Sequence, residues 1–128
     1  MPFLYFILLI LAFGVHAQPE LVLTPVEKNW LKEHPVIRVS NELDWAPYDF
    51  NVKGKPQGYS VAYIRILAER LGIEIQFIHG HSWKNLLQMA KDKKIDVIHP
   101  IFYSKEREKY FNFTMPYLDC LNSLVVRD

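Results

Sequence analysis

Among the polar side chains of this chain, Arg107 has the most distinctive chemistry: its planar fork of N–H donors pairs bidentately with the two oxygens of a carboxylate. It stands in Lys105-Glu106-Arg107-Glu108-Lys109, a run that by composition alone is a solvated surface. Trp45 offers a flat ring for a planar or aliphatic ligand and a negative face for a cation, although the same ring can simply pack against Pro47 and Tyr48. Glu42 is a loop acid of the kind that is commonly just solvated. His79, His81 and His99 fall near strand ends, but no carboxylate or thiolate stands at a recognisable interval, so no metal site is expected. Cys120, in an apolar run, reads as a small hydrophobe rather than a nucleophile. The 5 glycines are scattered, and neither a dinucleotide fingerprint nor a phosphate loop occurs. No acid/base pair with distinctive spacing is present, and no cofactor is expected.

The elements that must position these residues follow from periodicity. Thr24-Pro25-Val26-Glu27 combines a capping Thr, a proline at the first helical position and a Glu three residues after the cap. A short helix should follow and end before Pro35, with Trp30 and Leu31 on its apolar side. Val36–Ser40 is rich in branched residues and reads as a first strand. Asn41 to Gly58 holds two prolines and is a loop or loose hairpin carrying Trp45, Tyr48 and Phe50. Ser60 to Leu71 places Val61, Ile64, Leu67, Ala68 and Leu71 on one helical face, and Gly72 ends it. Ile73 to Ile78 alternates as a second strand, Ser82 caps a second helix bringing Trp83, Leu86, Leu87 and Ala90 together, and Ile95–Ile98 is a third strand. Strand, helix, strand, helix, strand predicts an α/β fold with a doubly wound, mainly parallel sheet. The apolar stretch from Leu118 to Val126 reads as one more strand.

The 15 Lys plus Arg against 14 Asp plus Glu give a net charge of +1, which excludes a strongly basic chain that binds nucleic acid through charge alone. A single cysteine excludes an internal disulfide. At 128 residues one domain is the ceiling. Phe3 to Phe13 is an uninterrupted apolar run, too short to span a bilayer, and Val15-His16-Ala17 has the small residues a signal peptidase accepts. Residues 1–17 are therefore expected to be a signal peptide, with a mature chain from Gln18 in the periplasm.

The order of features in 18–128 resembles the N-terminal lobe of the family 3 extracellular solute-binding proteins. The pieces are Trp30-Leu31-Lys32-Glu33-His34-Pro35-Val36-Ile37-Arg38-Val39, Asp44-Trp45-Ala46-Pro47-Tyr48-Asp49-Phe50, Gly58-Tyr59-Ser60, Leu71-Gly72-Ile73, Lys94-Ile95-Asp96-Val97-Ile98, Glu106 through Thr114, and Pro116-Tyr117. The opening Thr-Pro helix is most similar to Venus-flytrap sensor domains. The resemblance implies one lobe of a type II periplasmic-binding-protein fold, cut before the second lobe, that is not an enzyme and binds an amino acid or related carboxylate.

It further implies Arg107 as the carboxylate clamp, Trp45 and Tyr59 as aromatic walls, and Glu42 as the acid that reads basic side chains. His99, Pro100 and Phe102 stand where the family usually has small hydroxyl residues or glycine. That departure, with Phe102 adding bulk to the site, points toward a larger or more apolar ligand. A membrane transporter or a sensor kinase is the implied partner class, and an uncovered cleft face implies self-association. Two other readings remain open at this point: a truncated or vestigial lobe that acts only as a protein-interaction module, and a fragment of a fold-related enzyme.

Overall fold

The computed structural model describes residues 21–120 and 125–126, so the expected leader at 1–17 and its Ala17/Gln18 junction lie outside the described residues. The chain divides into two compact units at Glu33/His34. In the first, helix α1 spans Pro25–Glu33. Its start is the reciprocal cap that Thr24 and Glu27 encode: the Thr24 N–H donates to Glu27 Oε2 at 2.7 Å, and the Glu27 N–H donates to Thr24 Oγ1 at 3.3 Å. These bonds from Thr24 hold the Glu27 carboxyl below its usual value. Asn29 Nδ2 adds a bond to Glu33 Oε1 one turn on. None of the nine residues is buried, and capping and local pairs contribute to the stability of α1.

The second unit is built on strand β1, Val36–Ser40, with Ile37 and Val39 in the core. Two short antiparallel pairings follow, β2 at Asp44–Trp45 with β3 at Asp49–Val52, and β3 with β4 at Lys55–Gln57. The β3–β4 turn uses Lys53 and Gly54, both at positive φ, with Asn51 Oδ1 accepting from the Gly54 N–H at 2.7 Å. The expected loose hairpin is thus a three-stranded meander.

Helix α2, Tyr59–Leu71, buries Ser60, Val61 and Ala68, and it ends at Gly72 in the left-handed conformation. Leu67, expected on the inner face, is about one third exposed. Strand β5, Glu74–Ile78, then pairs parallel with β1, Val36 opposite Glu74 through Ser40 opposite Ile78. Helix α3, Trp83–Lys91, starts at Ser82, whose side chain accepts from the Asn85 N–H, and it buries Leu86.

Ile95–Ile98 lies along the other side of β1 but forms only a bridge, Val39 to Val97, rather than a full strand. The physical reason is visible at Asp96. The N–H of Arg38 donates to Asp96 Oδ2 at 2.8 Å, so a side-chain oxygen takes the place of a strand carbonyl. The Arg38 guanidinium closes the same pair with bonds of 2.9 and 2.6 Å and holds the Asp96 carboxyl below its usual value. The order is nevertheless that of a parallel sheet with β1 in the middle and helical crossovers.

The strand expected from Leu118 to Val126 is not present at Leu118–Cys120, and residues 121–124 lie outside the described residues. Cys120, expected to be buried, is half-buried, and its proximity raises the Tyr48 hydroxyl above its usual value. No helix among the described residues is long and apolar enough to cross a membrane.

The apolar core is Ile37, Val39, Val61, Ala68, Leu86 and Ile95. Fully buried Val39, Val61 and Leu86 each contribute about 1.5–3 kcal/mol over exposure. At the C-terminal end of β1 the interior turns polar, because Ser40, Asn41, Asp49, Ser60 and His99 are all buried there. Ser40 Oγ accepts from the His99 N–H at 3.1 Å and donates to its carbonyl at 3.3 Å, which ties the segment after Ile98 to the strand end.

Candidate functional site

Directly beyond that polar floor lies a cavity of about 270 Å³ lined by Glu42, Trp45, Trp83, Pro100, Ile101, Phe102 and Arg107. It occupies the place that chain geometry favours, outside the carboxyl end of β1, where the connections converge. Glu42 follows β1 by two residues, Trp45 closes β2, Trp83 is the first residue of α3, and Arg107 opens a 3₁₀ turn at Arg107–Lys109.

The aromatic wall is continuous: the Trp45 ring lies 5.6 Å from Phe102 and 5.8 Å from Tyr48, centroid to centroid. Arg107 faces it in a held pose. Its N–H donates to Ser104 Oγ at 3.2 Å, its Nη1 donates to the Phe102 carbonyl at 2.8 Å, and its guanidinium carbon lies 5.7 Å from the centre of the Trp83 ring. Among the described residues no other hydrogen bond engages the guanidinium, so most of its donor fork is available.

Glu42 provides the opposite charge. Its N–H donates to Asp49 Oδ2 at 2.9 Å, while its carboxylate accepts no hydrogen bond from the described residues. Burial pushes the Glu42 carboxyl above its usual value. A cavity with a guanidinium, an unpaired carboxylate and a wall of rings can hold a small zwitterionic molecule with an apolar body.

Four of the five residues expected from sequence, Glu42, Trp45, Phe102 and Arg107, therefore line one cavity. Tyr59 does not: it is the first residue of α2, its N–H spent on the Pro47 carbonyl, and its side chain is half exposed outside the cavity lining. By its spacing Trp83 belongs to the apolar side of α3. Its place as the first residue after the Ser82 cap, at a helix start facing the strand ends, is the signal that marks it for the site. Pro100 contributes no amide hydrogen to the lining.

A second cavity of about 200 Å³ shares Arg107 and is otherwise lined by Leu87, Lys91, Glu106, Tyr110 and Phe111. Lys91 Nζ sits 4.1 Å from the Tyr110 ring centre. Among the described residues no group of three His, Cys, Asp or Glu side chains is placed to hold a metal.

The chain is similar in sequence to the L-cystine-binding protein TcyJ of Escherichia coli K12, at 33% identity over 91 residues, 70% of this chain and 34% of TcyJ. It is similar in fold to the periplasmic domain of BvgS, the virulence sensor protein of Bordetella pertussis, with a TM-score of 0.70 at 24% identity over 76% of this chain and 19% of that one. It also matches a point mutant of the arginine-bound form of domain 1 from TmArgBP, with a TM-score of 0.62 and 29% identity over 72% of each chain. The chain thus spans about a third of TcyJ and a smaller share of BvgS. Its matched relatives are mostly binding proteins, with a cyclohexadienyl dehydratase from Pseudomonas aeruginosa among them. The neighbouring structures are type II periplasmic-binding-protein lobes, and residues 37–128 match the family profile, so the chain belongs to the bacterial extracellular solute-binding proteins, family 3.

Proposed function

We propose that this chain is the first lobe of an exported, non-enzymatic receptor that binds an amino acid or a related carboxylate in the cavity between Trp45 and Arg107. The observation that carries the reading is the convergence of Arg107, Glu42 and the rings of Trp45, Trp83 and Phe102 on one cavity at the end of the parallel sheet. Arg107 takes the carboxylate through its free donors, Glu42 takes a basic group, and the rings cover the body between them. A neighbouring structure of a mutant of the arginine-bound form of domain 1 from TmArgBP supports binding by one lobe. Export through a leader at 1–17 and service to a membrane transporter or a sensor kinase belong to the same reading.

One lobe leaves its ligand partly wet, and a charge-assisted pair there contributes on the order of 1 kcal/mol. The expected dissociation constant is therefore roughly millimolar. The test is an NMR titration of the chain with L-arginine, L-glutamate and dicarboxylates, repeated on Arg107→Ala and Trp45→Ala. Each substitution should weaken binding about fivefold. Binding indifferent to both would overturn the placement of the site. Intact mass of the exported product tests cleavage after Ala17.

A further inference from the structure

Asp49 is fully buried, yet it is an acid in a pocket without a basic partner among the described residues. What faces it is a set of N–H donors. Oδ1 accepts from Asn41 Nδ2, and Oδ2 accepts from the Glu42 N–H. Asn41 is itself locked: its N–H donates to the Ile78 carbonyl at 2.9 Å, its Nδ2 also reaches the Phe50 carbonyl, and its Oδ1 accepts from Asn51 Nδ2 at 2.8 Å. Asp49 is also the cross-strand partner of Trp45 in the β2–β3 pair. One carboxylate thus sits behind both the acidic and the aromatic wall of the cavity while touching neither the cavity nor a cation.

We propose that Asp49 is a positioning residue for the cavity: its ionised carboxylate holds the Asn41–Glu42 corner where the Glu42 side chain faces the ligand. This rests on the reading of the cavity as the binding site. An ionised carboxylate only accepts, and here each of its two oxygens takes an N–H donor. A proton on either oxygen removes the charge that strengthens both accepted bonds, so the corner is held more weakly.

The surroundings put this change within an accessible pH range. Burial raises the Asp49 carboxyl to about 6, against the pull of the Glu42 and Asn41 bonds, and the Glu42 charge pushes the same way. The titratable groups facing it are Glu42 from the β1–β2 loop and Tyr117 from the C-terminal segment, while α2 brings the uncharged Ser60, bonded to the Tyr117 hydroxyl. Because the folded value lies above the unfolded 3.8, the protonated form favours folding: this contribution is present below about 3.8 and lost as pH rises through about 6. At neutral pH the ionised Asp49 therefore costs stability.

The experiment follows amide shifts and exchange protection of the isotope-labelled ligand-free chain from about pH 7.5 to about pH 4.5. The Glu42 amide should titrate with a midpoint near 6, losing about tenfold in protection on the acid side. Glu42→Gln, which removes the neighbouring like charge, should lower the midpoint seen at the residue 42 amide. Asp49→Asn should abolish the titration, keep or raise the melting temperature at neutral pH, and weaken binding of the probe L-arginine several-fold. A Glu42 amide that is flat across the range, or a midpoint unchanged in Glu42→Gln, overturns the proposal even if Asp49→Asn does not fold. Failure of L-arginine and the other probes to bind at any pH instead overturns the reading of the cavity, and the amide titration still decides the role of Asp49.

Discussion

His99 makes the acid stability of this chain calculable. It is 97% buried, held at its backbone by Ser40 and packed 6.2 Å from the Phe77 ring, and neither ring nitrogen has a hydrogen-bond partner among the described residues. Burial pulls the imidazole from 6.5 down to about 4. A folded value below the unfolded one means that the unfolded chain takes up the proton first, so the contribution is present above 6.5 and lost as pH falls from 6.5 toward 4. Between pH 7 and pH 5 the loss integrates to about 2 kcal/mol. Asp49 acts in the opposite direction over the same interval and returns about 1 kcal/mol. The two residues are best separated by substitution. Urea unfolding of the wild type, His99→Leu and His99→Gln at both pH values compares each protein with itself, so packing differences between side chains cancel. With an unfolding slope of about 1 kcal/mol per molar urea, either variant should retain a midpoint about 2 M higher, relative to its own value at pH 7, than the wild type does. Parallel behaviour of all three proteins would refute the assignment of a neutral, desolvated imidazole at this position.

Gly58 precedes α2 at a φ of +114°, and a Cβ built on it would lie 2.3 Å from the Tyr48 carbonyl oxygen, so Gly58→Ala should cost more than about 2 kcal/mol and lower the melting temperature by about 10 °C or more. A calorimetric scan checks this, and a shift of only a degree or two would mean that the turn relaxes freely. Asp96→Ala removes both the bidentate partner of the Arg38 guanidinium and the acceptor of the Arg38 N–H; with the Arg38 and Asp96 side chains 39% and 35% exposed, it should cost only about 1 kcal/mol, mostly through the N–H of Arg38. Repeating the melt at high salt should leave that cost nearly unchanged if the backbone bond is the larger part.

Features of the fold that were legible in the sequence are those whose cause is local. Thr24 and Glu27 cap their own helix, Gly72 takes the left-handed stop, and Ser82 caps α3, each decided by residues within four positions. The third strand was less legible, because Ile95–Ile98 has the composition of a strand while Asp96 spends its side chain on the Arg38 N–H, a contact 58 residues away that no local pattern encodes. Tyr59 shows the same limit from the other side. Its position in the motif suggested a wall, but as the first residue of α2, with its N–H on Pro47, it is turned out of the cavity.

The cavity itself was legible in part, and the missing part is instructive. Glu42, Trp45, Phe102 and Arg107 come from loops that follow strands, where function is expected. Trp83 and Asp49 are not singled out by the sequence: a tryptophan on an amphipathic helix reads as core, and Asp49 is only one member of a motif in a proline-containing loop. Their roles depend on pairs brought together only after folding, Arg107 over the Trp83 ring and the Asn41–Glu42 corner on the Asp49 carboxylate. Arg107 is steadied by the Phe102 carbonyl and the Trp83 ring, and the Glu42 backbone by the Asp49 carboxylate behind it. On the proposed reading of the cavity, selectivity depends on the residues that aim its two charges, since a guanidinium and a carboxylate on free loops would recognise almost any zwitterion equally weakly.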